Sequence, residues 1–365
     1  MMKRNRSRSK LAVGLVVSAL VLAACGDGAD ADERVELSTL DSPHSEQIGA
    51  LAAAAADSGQ TELVIYGSSA EEKQPAWDLF TKRYGITVKA QNLVGTALTS
   101  KLEQEKASGK VIADVIQSTK PTAQARADEG YYQAFTPVTV DENIHPISDA
   151  GEGLFYAPTA SVFGMVYNTQ RDSEEEIPQT WDDLLKPEWK DQLALLDPKA
   201  QNGTTLAFAT LASAGVIDDQ WLKNLAANGA SNSGDAATML RQIATGEHPI
   251  GVGIPQHMVW KAAKDGAPVG MSLSTGGGTV VTPVIYGLMN NAPHSAAAEL
   301  FITWLYTKEA QEAMAALGEM PLLSGAQAPE GVASLDQIDN VVEVARGDVL
   351  YEKMTAIVGL NQVLY

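Results

Sequence analysis

Short apolar runs alternate with amphipathic segments along most of the chain. Residues 63–66 and 111–116 form mostly apolar runs of strand length, and the apolar positions between 76 and 84 recur at helical spacing before Gly85. Another helix is predicted over residues 121–129. Strands that alternate with helices predict a mainly parallel sheet with right-handed crossovers, so the pattern indicates an α/β fold.

A second α/β stretch begins near residue 161. Apolar runs in it predict strands over 162–167, 193–196 and 250–254, and amphipathic segments predict helices over 204–214, 218–227 and 235–245. The run 280–289 predicts a long strand that returns to the first lobe. We therefore predict two lobes, the first from residues 61–162 and 276–322, the second from residues 163–275 and 323–365.

The first sixty residues follow a different pattern. Five basic residues precede or begin the apolar run 11–24, which is shorter than the ~20 residues that a membrane-spanning helix needs. The run ends in the lipobox pattern LAAC, so we expect a signal peptide over residues 1–24 and lipidation of Cys25, the only cysteine. The acidic segment 25–60 is expected to be a flexible tether, with a helix over 48–56 as the alternative.

Charge and composition exclude several functions. Removal of the leader's five basic residues would take the formal net charge from −19 to −24, which argues against nucleic-acid binding. The five histidines lack the spacing of a metal site, and the chain has no nucleophile elbow and no complete phosphate-binding glycine loop. We expect a protein that is not an enzyme and that holds no cofactor and no resident metal.

Several short motifs occur in a characteristic order. They are LVIY at 63–66, ADV at 113–115, MVYNT at 165–169, WDDLLKPEWK at 181–190, AELF at 298–301, KEAQ at 308–311 and MPL at 320–322. In this order the chain resembles the iron(III)-type solute-binding proteins of ABC importers, a family that also includes binders of phosphonates, sugar phosphates and other small solutes. The resemblance implies a two-lobed type II periplasmic-binding-protein fold, in which each lobe is a mixed, mainly parallel sheet flanked by helices. It also implies two crossing strands, a ligand cleft between the lobes, and separate permease and ATPase partners.

The chain departs from the iron-binding members of that family at their ligand residues. Those members use a consecutive tyrosine pair, and the corresponding positions here hold Gln256 and His257. An amide and an imidazole are poor replacements for phenolates on iron(III), which favours anionic oxygen donors. The pair Tyr131-Tyr132 is interpreted as packing. A binder of iron or a metal chelate that uses Gln256, His257 and bound anions remains the alternative.

Two predicted turns open helices and offer groups that bind anions. They are Gly67-Ser68-Ser69 and Gln201-Asn202-Gly203-Thr204-Thr205, and the backbone N–H groups at such helix starts favour anionic oxygens. The alternative for each turn is an ordinary helix cap. The resemblance adds the turn Gln117-Ser118-Thr119 as a loop that lines the cleft. The predicted ligand-binding residues are therefore Ser68, Ser69, Gln117, Ser118, Thr119, Asn202, Gly203, Thr204, Gln256, His257 and Tyr286.

These observations together predict a monomeric, lipid-anchored, extracytoplasmic solute-binding subunit of an ABC importer. The small-molecule ligand is expected to be an anionic organic solute, such as a phosphonate, a phosphate ester or a carboxylate. A secreted hydrolase or adhesin on the same scaffold is the alternative from a different class, and it is disfavoured because no nucleophile and base arrangement is visible in the sequence.

Overall fold

The computed structural model describes residues 40–140, 144–148, 153–273, 276–342 and 345–365. The predicted signal peptide, Cys25 and the first part of the predicted tether lie outside the described residues. Within the described ranges, no helix is both long enough and apolar enough to cross a lipid bilayer.

The end of the predicted tether is a helix, α1 (Ser45–Asp57). Its Ile48 and Ala55 are buried in the hydrophobic core that also contains Leu63 and Trp77. The expectation of a flexible segment does not hold here, because these apolar side chains give the helix a face to bury. The alternative of a helix over 48–56 is the one that the structure shows.

The first lobe is built from alternating strands and helices. In chain order they are β1 (Glu62–Gly67), α2 (Gln74–Tyr84), β2 (Thr87–Asn92), α3 (Gly95–Ser108), β3 (Val115–Thr119) and α4 (Lys120–Asp128). Strand β1 pairs in parallel with both β2 and β3. The strand that the sequence predicted from residue 111 begins only at Val115, because the Ile112 N–H donates to the Glu105 carboxylate at 2.8 Å instead of a neighbouring strand.

The second lobe repeats this arrangement. It is entered through the long strand β4 (Tyr156–Asn168), and the elements that follow are β5 (Leu193–Leu195), α5 (Gly203–Ser213), α6 (Asp219–Ala227), β6 (Ser231–Asn232), α7 (Ala236–Thr245), β7 (Ile250–Pro255), α8 (Gln256–Lys264) and β8 (Val269–Ser272). Strand β5 pairs in parallel with β6 and β7. The sequence patterns did not predict α8 or β8.

The remaining elements return to the first lobe and then to the second. They are β9 (Thr279–Leu288), α9 (Ser295–Trp304), α10 (Lys308–Ala315), β10 (Met320–Pro321), β11 (Val341–Val342) and α11 (Gly347–Leu364). The long strands β4 and β9 pair antiparallel at the centre of a sheet with the order β2-β1-β3-β9-β4-β7-β5-β6. They are the two crossing strands that the resemblance implied, with a parallel set of strands on either side.

Hydrophobic cores lie on the two sides of the crossing strands, a first side toward the first lobe and a second side toward the second lobe. Apolar residues of β1, α2 and α9 form a core on the first side, and those of β5, α5 and α6 form a core on the second. Within residues 323–365, which we assigned to the second lobe, Leu335 packs with first-side residues such as Leu322. Leu350 and Ile357 of α11 pack in the second-side core. The division into lobes at 162/163 and 275/276 stays a prediction.

Candidate functional site

A cavity of about 410 Å³ lies where the loops of both lobes meet over the crossing strands. It is bordered by the turn after β1 and the end of β3 on one side, and by the loop after β5 and the junction of β7 with α8 on the other. The predicted turn Gln117-Ser118-Thr119 is the carboxyl end of β3, where it pairs with β9. The carboxyl ends of parallel strands lie at the same edge of a sheet, so each lobe brings its loops together there. Eight of the eleven predicted ligand-binding residues line this cavity: Ser68, Ser69, Gln117, Ser118, Thr119, Asn202, Gly203 and His257.

Several helices begin at the cavity wall. The cavity is lined by residues at the starts of α3, α4 and α8. None of these three helices has a side-chain cap at its N-terminus. Helix α5 is capped by Asn202, whose side chain accepts from the Thr204 and Thr205 backbone N–H groups. The uncapped first turns leave backbone N–H groups without intrahelical partners, and these groups carry partial positive charge. The wall is therefore suited to an anionic oxygen.

The turn after β1 has an uncommon backbone conformation. Ser69 has a φ of 52°, in the left-handed region that residues other than glycine rarely adopt. This turn carries Ser68 and Ser69 to the cavity and leads into α2. Strained backbone of this kind is concentrated at functional sites.

The cavity also contains a buried ion pair that the sequence patterns did not predict. The Lys73 ammonium lies 2.9 Å from the Glu319 carboxylate, and each side chain is only 3% exposed. Lys73 also donates to the Ser69 carbonyl at 3.4 Å. On the opposite lobe, His257 Nδ1 lies 3.9 Å from the same Glu319 oxygen. Lys73 and Glu319 belong to the first lobe and His257 to the second, so the three groups connect the lobes across the cavity.

The charges of these groups follow from burial and from their neighbours. Burial alone would raise the pKa of the Glu319 carboxyl, but the positive charge of Lys73, with a further contribution from His257 when its imidazole is protonated, outweighs burial and holds this pKa below its ordinary value. Burial lowers the pKa of the His257 imidazole, and Glu319 opposes that shift only in part. At neutral pH the cavity therefore contains an ionised carboxylate, an ammonium and a neutral imidazole, whose charges sum to zero.

Three polar atoms of the cavity wall are buried and have no hydrogen-bond partner among the described residues. They are Gln117 Oε1, His257 Nε2 and Glu319 Oε2. Buried polar atoms in native proteins almost always have a partner, so a cluster of three at one cavity indicates a place for a bound molecule.

Three predicted residues do not line the cavity. Thr204 is fully buried, and its hydroxyl accepts from the Leu196 N–H at 3.0 Å and donates to the Val252 carbonyl at 2.9 Å. Tyr286 is fully buried in the first-side core. Gln256 lines a second cavity of about 530 Å³ instead, because consecutive residues of a helix point about 100° apart and α8 separates the two cavities.

The tyrosine pair of the first lobe lies in the core. Tyr131 and Tyr132 are 8% and 6% exposed and belong to the cluster around β1 and β3, which confirms their interpretation as packing residues. The alternative that joined Gln256 with His257 in one metal site does not fit the structure, since these side chains line different cavities.

Replacing Thr204 with valine is expected to destabilise the protein by about 2 to 4 kcal/mol. The change leaves the buried Leu196 N–H without its Thr204 acceptor, at about 1 to 3 kcal/mol, and removes one hydrogen bond to the Val252 carbonyl, at about 1 kcal/mol. Urea unfolding measures the loss. Ser213→Ala on the same helix is the control, because the Ser213 hydroxyl bonds only within α5, to the Ala209 carbonyl. A stable Thr204→Val protein with weakened ligand binding would contradict the structural role.

Comparison with known proteins places this geometry in a family. Residues 110–337 match the family model described as "Bacterial extracellular solute-binding protein". The chain is 26% identical to the Fe(3+)-binding periplasmic protein of Serratia marcescens over 275 residues, which cover 71% of this chain and 77% of that protein. It is also 26% identical to a putative 2-aminoethylphosphonate-binding periplasmic protein of Salmonella typhimurium over 268 residues, 69% of this chain and 74% of the relative.

A solved structure shares the fold over nearly its whole length. Iron-bound HitA from Pseudomonas aeruginosa superposes with a TM-score of 0.69 at 20% identity, covering 83% of this chain and 99% of HitA. The likeness confirms the two-lobed type II periplasmic-binding-protein fold that the sequence motifs implied. The cavity of this chain lies where the loops of the two lobes meet. Because the family model matches more than half of the chain, the protein belongs to the bacterial extracellular solute-binding protein family.

Proposed function

We propose that the protein is the solute-binding subunit of an ABC importer and that it captures a small anionic organic solute in the 410 Å³ cavity. The observation that supports this proposal is the meeting of three uncapped helix starts at one cavity, α3 and α4 from the first lobe and α8 from the second. Enclosed helix N-termini stabilise an anion more strongly than exposed ones do. The volume is in the range of small-molecule sites, which is roughly 300 to 1,000 Å³.

Hydroxyl groups complement these backbone donors. Ser68, Ser69, Ser118, Thr119 and Thr122 all line the first-lobe wall. Because Lys73 is paired with Glu319, the side chains supply little net charge, and the favourable field for an anion comes mainly from the helix starts. Such a wall suits a phosphonate, a phosphate ester or a carboxylate.

The side chains of the cavity are a poor set of ligands for iron(III). The lining contains no tyrosine, and its single carboxylate, Glu319, is already paired with Lys73. Among the described residues, no three His, Cys, Asp or Glu side chains are grouped as metal ligands are. The relatives include an Fe(3+)-binding protein and a putative 2-aminoethylphosphonate-binding protein at equal identity, so identity does not separate the two ligand classes. The oxygen and nitrogen groups that line the cavity favour a phosphonate-type ligand over iron.

Binding would use both lobes. The first lobe contributes Ser69 and Thr119, the second contributes Asn202 and His257, and β4 and β9 connect them. A ligand that contacts both lobes favours a closed arrangement, because it binds that arrangement with more contacts than an open one. In this proposal the permease recognises the closed form, Cys25 carries the lipid that keeps the protein at the outer face of the membrane, and no reaction is catalysed.

A thermal-shift screen of the purified full-length protein tests the proposal. The panel contains alkylphosphonates, sugar phosphates, carboxylates, polyamines, thiamine and iron(III) citrate. We expect an anionic organic solute to raise the melting temperature, since a ligand at a hundredfold excess over its Kd adds about 2.7 kcal/mol to stability. Ser69→Ala should weaken that ligand by about 1 to 3 kcal/mol, while Ser213→Ala should leave its affinity unchanged.

The iron(III) citrate sample in the screen tests the alternative ligand, iron(III). Because no tyrosine lines the cavity, we expect no visible phenolate-to-iron absorbance band after incubation with iron(III) citrate. Such a band, together with a melting-temperature increase for iron(III) citrate alone, would contradict the proposed ligand class.

A further inference from the structure

One carboxylate oxygen of Glu319 has no hydrogen-bond partner among the described residues. The Glu319 Oε1 atom is paired with Lys73 at 2.9 Å, whereas Oε2 is buried and is this unpartnered oxygen. The side chain is 3% exposed and lines the cavity. An ionised carboxylate can only accept hydrogen bonds, so a donor group on a molecule bound in the cavity could satisfy this oxygen.

A second acceptor of the wall, Gln117 Oε1, also has no partner among the described residues, and neither does His257 Nε2, which donates or accepts according to its tautomer. Gln117 is 6% exposed, and its Oε1 is buried without a donor. His257, whose Nδ1 lies 3.9 Å from Glu319 Oε1, has an unpartnered Nε2. All three residues line the cavity in which the helix starts are set to bind an anion.

We propose that Glu319 recognises a hydrogen-bond donor on the bound solute, so that the ligand is an anion that also carries a hydroxyl or ammonium group. Its anionic end lies at the uncapped helix starts, and its donor end lies at Glu319. This inference rests on the proposed function, because it assumes that the same cavity binds an anion. It adds a selectivity that helix starts alone do not provide, since they bind any anion of suitable size.

Selectivity of this kind has a physical basis. A site with a buried acceptor rejects an analogue that lacks the donor, because the acceptor is then left without a partner. Ordered water is the other molecule that can satisfy Glu319 Oε2. Ligands that differ only in the donor group distinguish these two partners of Glu319 Oε2. If water satisfies the oxygen, the site binds the ligands with and without the donor group equally.

The test is calorimetric titration of the full-length protein with matched ligands. The phosphonate set is 2-aminoethylphosphonate, 2-hydroxyethylphosphonate and propylphosphonate, and the carboxylate set is β-alanine, 3-hydroxypropionate and butyrate. Members of each set have the same number of non-hydrogen atoms. We expect a donor-bearing ligand to bind at least roughly tenfold more tightly than the alkyl member of its set, in line with the loss of one buried hydrogen bond. In Glu319→Gln, where an amide N–H can face the ligand, this ratio should fall to about one.

The outcomes separate the inference from the proposed function. Equal affinity for all members of a set overturns the inference and leaves the proposed anion site intact. Failure of every phosphonate and carboxylate to bind overturns the proposed function as well. The wild-type comparison is decisive even if Glu319→Gln folds poorly, and Gln117→Leu provides a second variant in which the donor preference should decrease without loss of the ion pair.

Discussion

Replacing Lys73 with methionine is expected to destabilise the protein by about 3 to 5 kcal/mol, the usual cost of removing one partner of a buried ion pair. Methionine has a similar length, so the change removes the charge with little loss of packing. Glu319, 3% exposed, would then carry an uncompensated charge in the protein interior. Urea unfolding followed by circular dichroism gives the free-energy difference.

The matched control for this change is Lys82→Met on α2, the helix that Lys73 precedes. Lys82 is exposed in the last turn of α2, and we expect its replacement to change stability by less than about 0.5 kcal/mol. The double variant Lys73→Met with Glu319→Gln should recover part of the loss, because no charge is then left unpaired. A Lys73→Met protein as stable as the Lys82→Met protein would show that the pair is not buried as described.

Local patterns and the family resemblance each contributed part of the predicted site. Ser69 and Asn202 were predicted from turns that open helices, whereas Gln117 was predicted from the resemblance. The three meet at one cavity because the carboxyl ends of parallel strands lie at the same edge of a sheet. Of the eight predicted residues that line the cavity, Ser68, Ser69, Asn202 and Gly203 came from the helix-opening turns, and Gln117, Ser118, Thr119 and His257 came from the resemblance. What they bind stays a prediction.

The ion pair at the cavity has no local signal. Lys73 precedes α2 and Glu319 follows α10, and neither residue belongs to a motif. Their proximity depends on how both helices pack in the first lobe, which periodicity does not encode. The same limit applies to Thr204, because a hydroxyl at a helix start can face either the ligand or a neighbouring strand, and here it bonds to the backbone of Leu196 and Val252.

The last helix had a signal in its sequence. Leu350, Met354, Ile357 and Asn361 of α11 are buried and recur at helical spacing. Helix α8 had a weaker one, since it begins directly after β7 with Pro255 as its N-cap and no capping side chain. Because the start of α8 was not recognised, Gln256 and His257 were treated as neighbours in one site, although the turn of the helix directs them to different cavities.

Close contact between two backbones holds the second-lobe wall in place. A Cβ atom added at Gly203 would lie 2.0 Å from the Gly253 carbonyl oxygen, far closer than atoms can approach. Gly253 itself has a φ of 110°, a conformation that other residues rarely adopt. Since backbone lies on both sides of this contact, no side-chain rotation can relieve it. The start of α5 must therefore separate from β7 when residue 203 is larger.

Replacing Gly203 with alanine is expected to cost about 3 kcal/mol of stability, the upper part of the range for an overpacked interior. It should also weaken the bound solute by roughly tenfold or more, equivalent to about 1.4 kcal/mol, because Asn202 and Gly203 move with the start of α5. Urea unfolding and titration with the solute found by the thermal-shift screen measure the two effects. Gly49→Ala in α1 is the control: it has open space around it, and the change should stabilise the helix by about 0.5 to 1 kcal/mol. If Gly203→Ala were as stable as Gly49→Ala and bound the solute normally, α5 and β7 could not be in backbone contact at the cavity.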